Sequence, residues 1–415
     1  MTVVETVARV ASSGGAPVER LVCHPRLPLV AGLDAERPAV RVWDCAEGRL
    51  RELGTVGGES AVYGDALGWD RMNRTPSVTW HPEEPLLVVA SEDGVARWTS
   101  AALSELPGPP PHARYDDVAF SPDGRTLWAS PSSGDEGGAW ESSDVVDLAS
   151  GTVSRGPRWD TGVTEHPAGG LVVTLCSDQG ATLGLFARVD PGAPATMRVL
   201  RRALVLDCDG YETPVFSADG RHLAIRGNAY DNSLEVFEFP SLRRILATTL
   251  GEPSPGYPYP PEWLEQMQAW SRHNIAFGAL PGTLWVGTPA GTLVEVDIEG
   301  QHAFEHDMLG GAPVTGLAAT PTGDLVVATG AGDLVLLAVR AAEARPTAGD
   351  ASKATVAAFL AATSEVPEDG DLETDLVLTD GTRTWDSADL AAVTEAEATD
   401  PTWLRIQAAV NNIRD

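Results

Sequence analysis

Val118-Ala119-Phe120-Ser121-Pro122-Asp123-Gly124-Arg125-Thr126-Leu127-Trp128 decides the fold, because the same phrase returns along the chain. It reads apolar–x–apolar–(His/Ser)–Pro, then a polar turn, then a second apolar run. Clear copies begin at Leu21 (Cys23-His24-Pro25), Val78 (Trp80-His81-Pro82), Val163 (Glu165-His166-Pro167) and Pro214 (Phe216-Ser217-Ala218-Asp219-Gly220). Two weaker copies are Ile275-Ala276-Phe277, ending in the same Thr283-Leu284-Trp285, and Leu317 to Pro321. Spacings of roughly forty to sixty residues are those of propellers and arrays. Within the quoted copy, Asp117 to Ser121 reads as a strand, Pro122-Asp123-Gly124 as a turn and Thr126 to Ser130 as a second strand. Asp144 to Leu148 reads as a third. Asp-Gly before an apolar run is a strong hairpin signal, and even strand spacing without intervening helices implies a closed or radial all-β fold.

A second element follows most copies. Val40-Arg41-Val42-Trp43-Asp44 is the sharpest, with relatives at Val95-Ala96-Arg97-Trp98, Leu234-Glu235-Val236-Phe237, Leu293-Val294-Glu295-Val296-Asp297 and a degenerate Leu334-Val335-Leu336-Leu337. Over residues 2 to 340 the chain resembles the WD-repeat β-propellers, in a bacterial, degenerate form. In that family a Trp-Asp pair ends the third strand of a four-stranded blade. The resemblance implies an all-β, seven-bladed β-propeller. It departs from the family in lacking the Gly-His pair before each blade. The Asp-His-Ser-Trp relay therefore does not carry over, and Asp231, six residues before Phe237, stands without its Trp and His.

Two domains are expected: a propeller over 1–340 and a small acidic α+β C-terminal module over 341–415. The alternating strand over residues 2–10 is expected to close the last blade, as in the WD family. Gly57 to Pro76 (with Tyr63, Trp69 and Met72) and Leu250 to Asn274 interrupt the repeats. The second holds Pro253-Ser254-Pro255-Gly256-Tyr257-Pro258-Tyr259-Pro260-Pro261, then a helix expected over Glu262 to Arg272 with Trp263, Leu264, Met267 and Trp270 on one face. In the C-terminal module Ala341 to Asp350 reads as a linker and Ser352 to Ser364 as a helix with Val356, Phe359 and Leu360 inward. Leu376 to Trp385 reads as an Asp-Gly hairpin, and Ser387 caps a short helix to Ala396. A last helix after Asp400-Pro401 carries Trp403, Ile406, Val410 and Ile413 on one side.

The formal net charge is −30, and Lys353 is the single lysine. Such a surface repels phosphate backbones, so neither nucleic acid nor an anionic membrane is an expected partner. No run of eighteen apolar residues predicts a transmembrane helix. Met1-Thr2-Val3-Val4-Glu5-Thr6 does not read as a secretory signal, and Cys23, Cys45, Cys176 and Cys208 form neither a disulfide framework nor a zinc pattern. A cytoplasmic protein is expected.

Catalytic phrases are absent: no Gly-x-Ser-x-Gly elbow, no phosphate-binding Gly-x4-Gly-Lys-(Ser/Thr) loop, no His-Glu-x-x-His. His302 and His306 should lie on one strand, about 13 Å apart, too far to share an ion. His24, His81 and His166 occupy one slot in three repeats, filled by Ser121 and Ser217 in two others. The shared need is a small polar group bonding a turn backbone. The cysteines in strand patterns are read as buried hydrophobes.

The expected function is therefore a non-catalytic protein–protein interaction scaffold, with no cofactor and no metal. The resemblance implies a subunit of a larger bacterial signalling or defence assembly. Partners would be one or more proteins meeting Tyr257, Tyr259, Trp263, Met267, Trp270 and Trp403, the aromatic and apolar residues that the blades do not need. The alternative is a propeller enzyme, or a binder of a small ligand or metal, with its site at the central channel. Whether the insertion and the last helix pack on the propeller or meet a partner is left open.

Overall fold

The computed structural model describes residues 2–414 apart from 59, 67–69, 72, 112, 135–138, 179–180, 208–209, 229–230 and 342–349. Trp69, Met72, Cys208 and nearly all of the segment read as a linker lie outside the described residues.

The protein is a seven-bladed β-propeller with a small α+β C-terminal extension. In chain order, β1 (Thr2–Ala11) precedes a first blade, β2–β5, of Val18–Cys23, Leu29–Asp34, Ala39–Asp44 and Arg51–Gly57. A short helix α1 (Ala61–Asp65) leads to β6–β9 (Ser77–Trp80, Leu87–Ser91, Gly94–Trp98, Leu103–Glu105). Blades β10–β13 (Asp117–Phe120, Thr126–Ser130, Ser143–Asp147, Val153–Gly156) and β14–β17 (Thr161–Glu165, Leu171–Asp178, Ala181–Asp190, Thr196–Leu206) follow. Next come β18–β21 (Val215–Phe216, His222–Arg226, Ser233–Glu238, Arg243–Thr249) and helix α2 (Pro261–Ala269). The sixth blade is β22–β25 (Ile275–Phe277, Thr283–Gly287, Leu293–Asp297, His302–His306), and β26–β28 (Val314–Ala319, Leu325–Thr329, Asp333–Ala341) belong to the seventh. β1 pairs antiparallel with β28, from Thr2 opposite Ala341 to Ala11 opposite Asp333, and supplies that sheet's fourth strand.

The quoted phrase folds for local reasons. Gly124 sits at φ +71°, a conformation that favours glycine. The Ser121 hydroxyl donates to Asp123 Oδ1 (2.7 Å), and the Thr126 amide donates back to Ser121 Oγ (3.0 Å). Asp123 Oδ1 also accepts the Arg125 amide at 3.1 Å. The turn thereby satisfies its own donors and delivers Thr126 into β11. Second strands such as β3, β11, β23 and β27 are buried along their whole length. They therefore read as continuous apolar runs rather than as alternation. Fourth strands such as β9 and β25 are largely exposed.

The chain divides into two compact units. One holds Met1–Arg158, Gly192–Ala195 and Tyr259–Thr347, with Trp43, Trp128 and Trp285 fully buried in its blades. Its first blade buries Asp34, which accepts from Arg41 at 2.8 Å and Arg37 at 2.7 Å. The other unit holds Trp159–Pro191, Thr196–Pro258 and Ala348–Asp415. There Asp231 Oδ2 accepts from the Thr249 hydroxyl at 3.0 Å.

In the second unit the extension packs on blades. Helix α3 (Asp350–Ala361) places Val356 and Phe359 in an apolar cluster with Leu171, Phe186, Phe216 and Phe239. After α4 (Leu372–Asp375), β29 (Val377–Thr379) runs parallel to β17, with Ala203 opposite Leu378. β30 (Thr384–Trp385) completes the expected hairpin. The next helix is α5 (Ser387–Ala391), shorter than expected, and its N-cap is Asp386 rather than Ser387. Asp386 and Asp389 form a reciprocal capping box there, which the serine hydroxyl one position on is placed too late to make. Helix α6 (Thr402–Arg414) ends the fold.

Candidate functional site

The proline- and tyrosine-bearing insertion belongs to no blade. Its first part lies in the second unit, where every residue from Gly251 to Pro258 is exposed. Gly256 at φ +85° turns the chain just before Tyr257, which is 89% exposed. The second part belongs to the first unit. Tyr259 stacks on Trp263 (centroids 5.1 Å, planes at 26°), and Trp263 is buried at the start of α2. Met267 and Trp270 are half-buried. The exit is fastened to β26: Ser271 Oγ donates to the Thr315 carbonyl (2.7 Å) and the Leu317 amide to the His273 carbonyl (2.8 Å). The insertion thus divides its aromatics, with Trp263 enclosed and Tyr257 presented.

Trp403 is enclosed too, edge-on to Trp385 at 5.0 Å. The buried face of α6 differs from the expected one. It runs through Trp403, Leu404, Ala408 and Asn411, while Ile406 is 37% and Ile413 85% exposed. The cause is polar: Asn411 Nδ2 donates to the Leu390 and Val393 carbonyls (2.8 and 2.7 Å), capping the end of α5. That bond turns Asn411 inward and rotates the isoleucines out. Two further exposed aromatics carry no sequence signal of their own, Trp140 (63%) and Phe304 (57%) on β25.

The histidine slot serves turn chemistry. His24 Nδ1 accepts the Arg26 and Leu27 amides, both at 3.0 Å, and Nε2 lies 2.9 Å from the Glu84 carbonyl in the next blade's turn. His166 Nδ1 accepts the Ala168 amide (3.1 Å), and Nε2 lies 3.0 Å from the Gly220 carbonyl. His81 Nδ1 accepts Glu83 and Glu84 amides (3.1 and 2.9 Å), and its Nε2 abuts Gly124, where a Cβ would come within 2.1 Å. Each ring therefore caps its own turn and reaches the next. Burial holds the His24 and His166 pKa values below the ordinary 6.5, in the neutral form that such bonding needs.

His302 and His306 both lie on strand β25. His306 Nε2 meets Glu295 at 3.0 Å, against the Trp285 ring. Among the described residues no group of three His, Cys, Asp or Glu side chains could hold a metal. Cys45 and Cys176 are buried and Cys23 half-buried. Burial pushes the Cys45 thiol up to about 11 and raises Cys23 as well, which keeps both un-ionised at neutral pH. Among the described residues no helix is long and apolar enough to cross a membrane. Searched against models of known protein families and against curated protein sequences, the chain matches none.

Proposed function

We propose that the protein is a non-catalytic interaction scaffold, a degenerate relative of the WD-repeat propellers acting in the cytoplasm within a larger bacterial assembly. The observation that carries the reading is Tyr257, 89% exposed in a run of eight exposed residues, 251–258, that no blade requires. A highly exposed aromatic is hot-spot material. Ile406 and Ile413, presented by a helix whose other face is anchored, add apolar surface of the same kind. Membership in the WD family is supported by Trp43-Asp44 standing at the end of β4, the third strand of its blade. With a net charge of −30, the partner surface is apolar with a basic rim.

The test is quantitative cross-linking mass spectrometry in the native host, comparing the full chain with Tyr257→Ala and with residues 251–258 replaced by a Gly/Ser stretch. Loss of a hot-spot aromatic weakens a partner by about 2 kcal/mol, roughly thirtyfold. A partner set with unchanged occupancy in both variants would refute the reading.

A further inference from the structure

A cavity of about 410 Å³ opens between the seventh and first blades, both in the first unit, and the interaction reading does not use it. Pockets for small organic ligands run from about 300 to 1,000 Å³. One wall is β28, whose alternate residues Leu336, Ala338 and Arg340 share a face and pass from buried to exposed along the strand. β1 adds Val7, the extra residue of a bulge, since Thr6 opposes Leu337 and Ala8 opposes Leu336. Bulges re-aim a side chain. The first blade supplies the facing wall. Its β4–β5 turn rests on Val7, because a Cβ on Gly48 would come within 2.7 Å of Val7 Cγ1. Behind that turn the Cys45 amide donates to the Pro28 carbonyl at 2.8 Å, which fixes the two remaining apolar residues of the wall.

The charged residues lining this cavity are Arg26, Glu47, Asp324 and Arg340. Arg26 is bonded to Glu83 at 2.7 Å. Among the described residues Arg340 has no hydrogen bond or ion pair. The Asp324 carboxylate has one hydrogen bond among them, from the Thr322 hydroxyl to Oδ2 at 3.0 Å, and no ion pair. Leu325 opposes Leu337, so Asp324 lies one step further on, level with Ala338 and diagonal to Arg340 on the same face. Diagonal side chains on neighbouring strands start about 7–8 Å apart. Two opposite charges are thus near neighbours that do not meet, with apolar residues beside them.

We propose that this cavity binds a free α-amino acid with an apolar side chain. The Arg340 guanidinium takes the carboxylate through charge-assisted donors, and Asp324, with Glu47 on the facing turn, takes the ammonium group. An α-amino acid carries both head groups on one carbon, which suits opposite charges held on a single sheet face. Val7, Pro28, Leu336 and Ala338 receive the side chain, whose burial supplies the rest of the affinity. A simple carboxylate would meet like charge at Asp324 and Glu47, and a simple amine would leave Arg340 unpaired. Neither this site nor its test depends on the interaction reading.

L-Leucine and L-phenylalanine are the probes, titrated calorimetrically into the full chain near neutral pH, and saturable binding is expected. For the tighter of the two, the deaminated acid and the carboxamide are each expected to bind at least about tenfold more weakly, because each lacks one charged head group. Arg340→Gln and Asp324→Asn are each expected to weaken the amino acid at least about tenfold. Ala46→Phe, at a half-buried position on the first-blade wall, fills the cavity with every charge left in place and is expected to abolish detectable binding. Circular dichroism checks that each variant is folded. Absence of saturable binding of either amino acid, analogues that bind as tightly as the parent, or affinity unchanged in both charge variants would each overturn the proposal.

Discussion

Replacing His166 separates the two tasks of the histidine slot. The ring is 1% exposed, caps its own turn through Nδ1 and reaches Gly220 through Nε2, with Phe216 and Phe239 at 4.9 and 4.8 Å. His166→Ala removes two hydrogen bonds worth about 1 kcal/mol each net. It also strands the Gly220 carbonyl and leaves a ring-sized void, so the total loss is about 3–5 kcal/mol. The serine blades show how to restore only the turn: Ser217 Oγ accepts the His222 amide (3.0 Å) and donates to Asp219 (2.7 Å). Position 168 is alanine, so the matching replacement is the double change His166→Ser with Ala168→Asp. It is expected to recover about 1–2 kcal/mol of the loss, leaving the neighbour bond and the void as the remainder. Urea denaturation at pH 8 measures all three proteins. If the double variant were as stable as the native chain, the reach to Gly220 would contribute nothing. If it were as unstable as His166→Ala, turn capping would not be what the slot provides. The pH dependence gives an independent check. His166 has a folded pKa below its unfolded value of 6.5, so the unfolded state takes up the proton first and stability falls as pH drops below about 6.5. The double variant is expected to lose less stability over that window.

The other expectations concern burial and charge. Trp403→Ala, at a side chain enclosed against Trp385, is expected to cost about 3–5 kcal/mol in denaturant unfolding, whereas Ile413→Ser, on the exposed side of the same helix, changes stability by less than about 0.5 kcal/mol. Equal effects would contradict the observed rotation of α6. Glu19→Gln is expected to raise stability at pH 8 by about 2 kcal/mol, allowing for solvent screening, and to leave it unchanged near pH 4.5. The sign follows from the raised folded pKa: the native state holds its proton longer than the unfolded chain, so stability is lost as pH rises from about 4.5 to about 7. A variant less stable than the native chain at pH 8 would mean that the attraction of Arg71, Arg272 and Arg20 outweighs burial.

What could be read from the sequence was local. Thr126 to Ser130 is β11 as expected, and Asp144 to Leu148 is β12 shifted by one residue, because an Asp-Gly turn and its flanking apolar runs contain their own instructions. The α6 face was misjudged because apolarity favoured Ile406 and Ile413, while the decisive contact joins Asn411 to the Leu390 carbonyl twenty-one positions away. The parallel pairing of β29 with β17 brings together residues about 175 apart, and nothing within either strand announces it. The burial of Glu19 was invisible for the same reason. Glu19 reads as an ordinary polar strand residue, and only the folded bulge between Val18 and Arg20 and its burial set it apart.

The division of labour between repeat and interruption follows from hydrogen-bond accounting. His24, His81, His166, Ser121 and Ser217 are engaged by turn amides, and two of the rings also by a neighbouring turn's carbonyl. A polar group so engaged can meet a partner only by releasing a buried bond, at a cost of about 1–3 kcal/mol. Ile413 carries no such penalty, and at both Ile413 and Tyr257 most of the surface already faces water and loses unfavourable hydration on contact. Substitutions in the repeat slot should therefore change stability and leave partner affinity intact, while substitutions at Tyr257 should do the reverse. A Tyr257→Ala chain that unfolds at lower denaturant concentration than the native protein, or a folded His166 variant that loses its partner, would break that division.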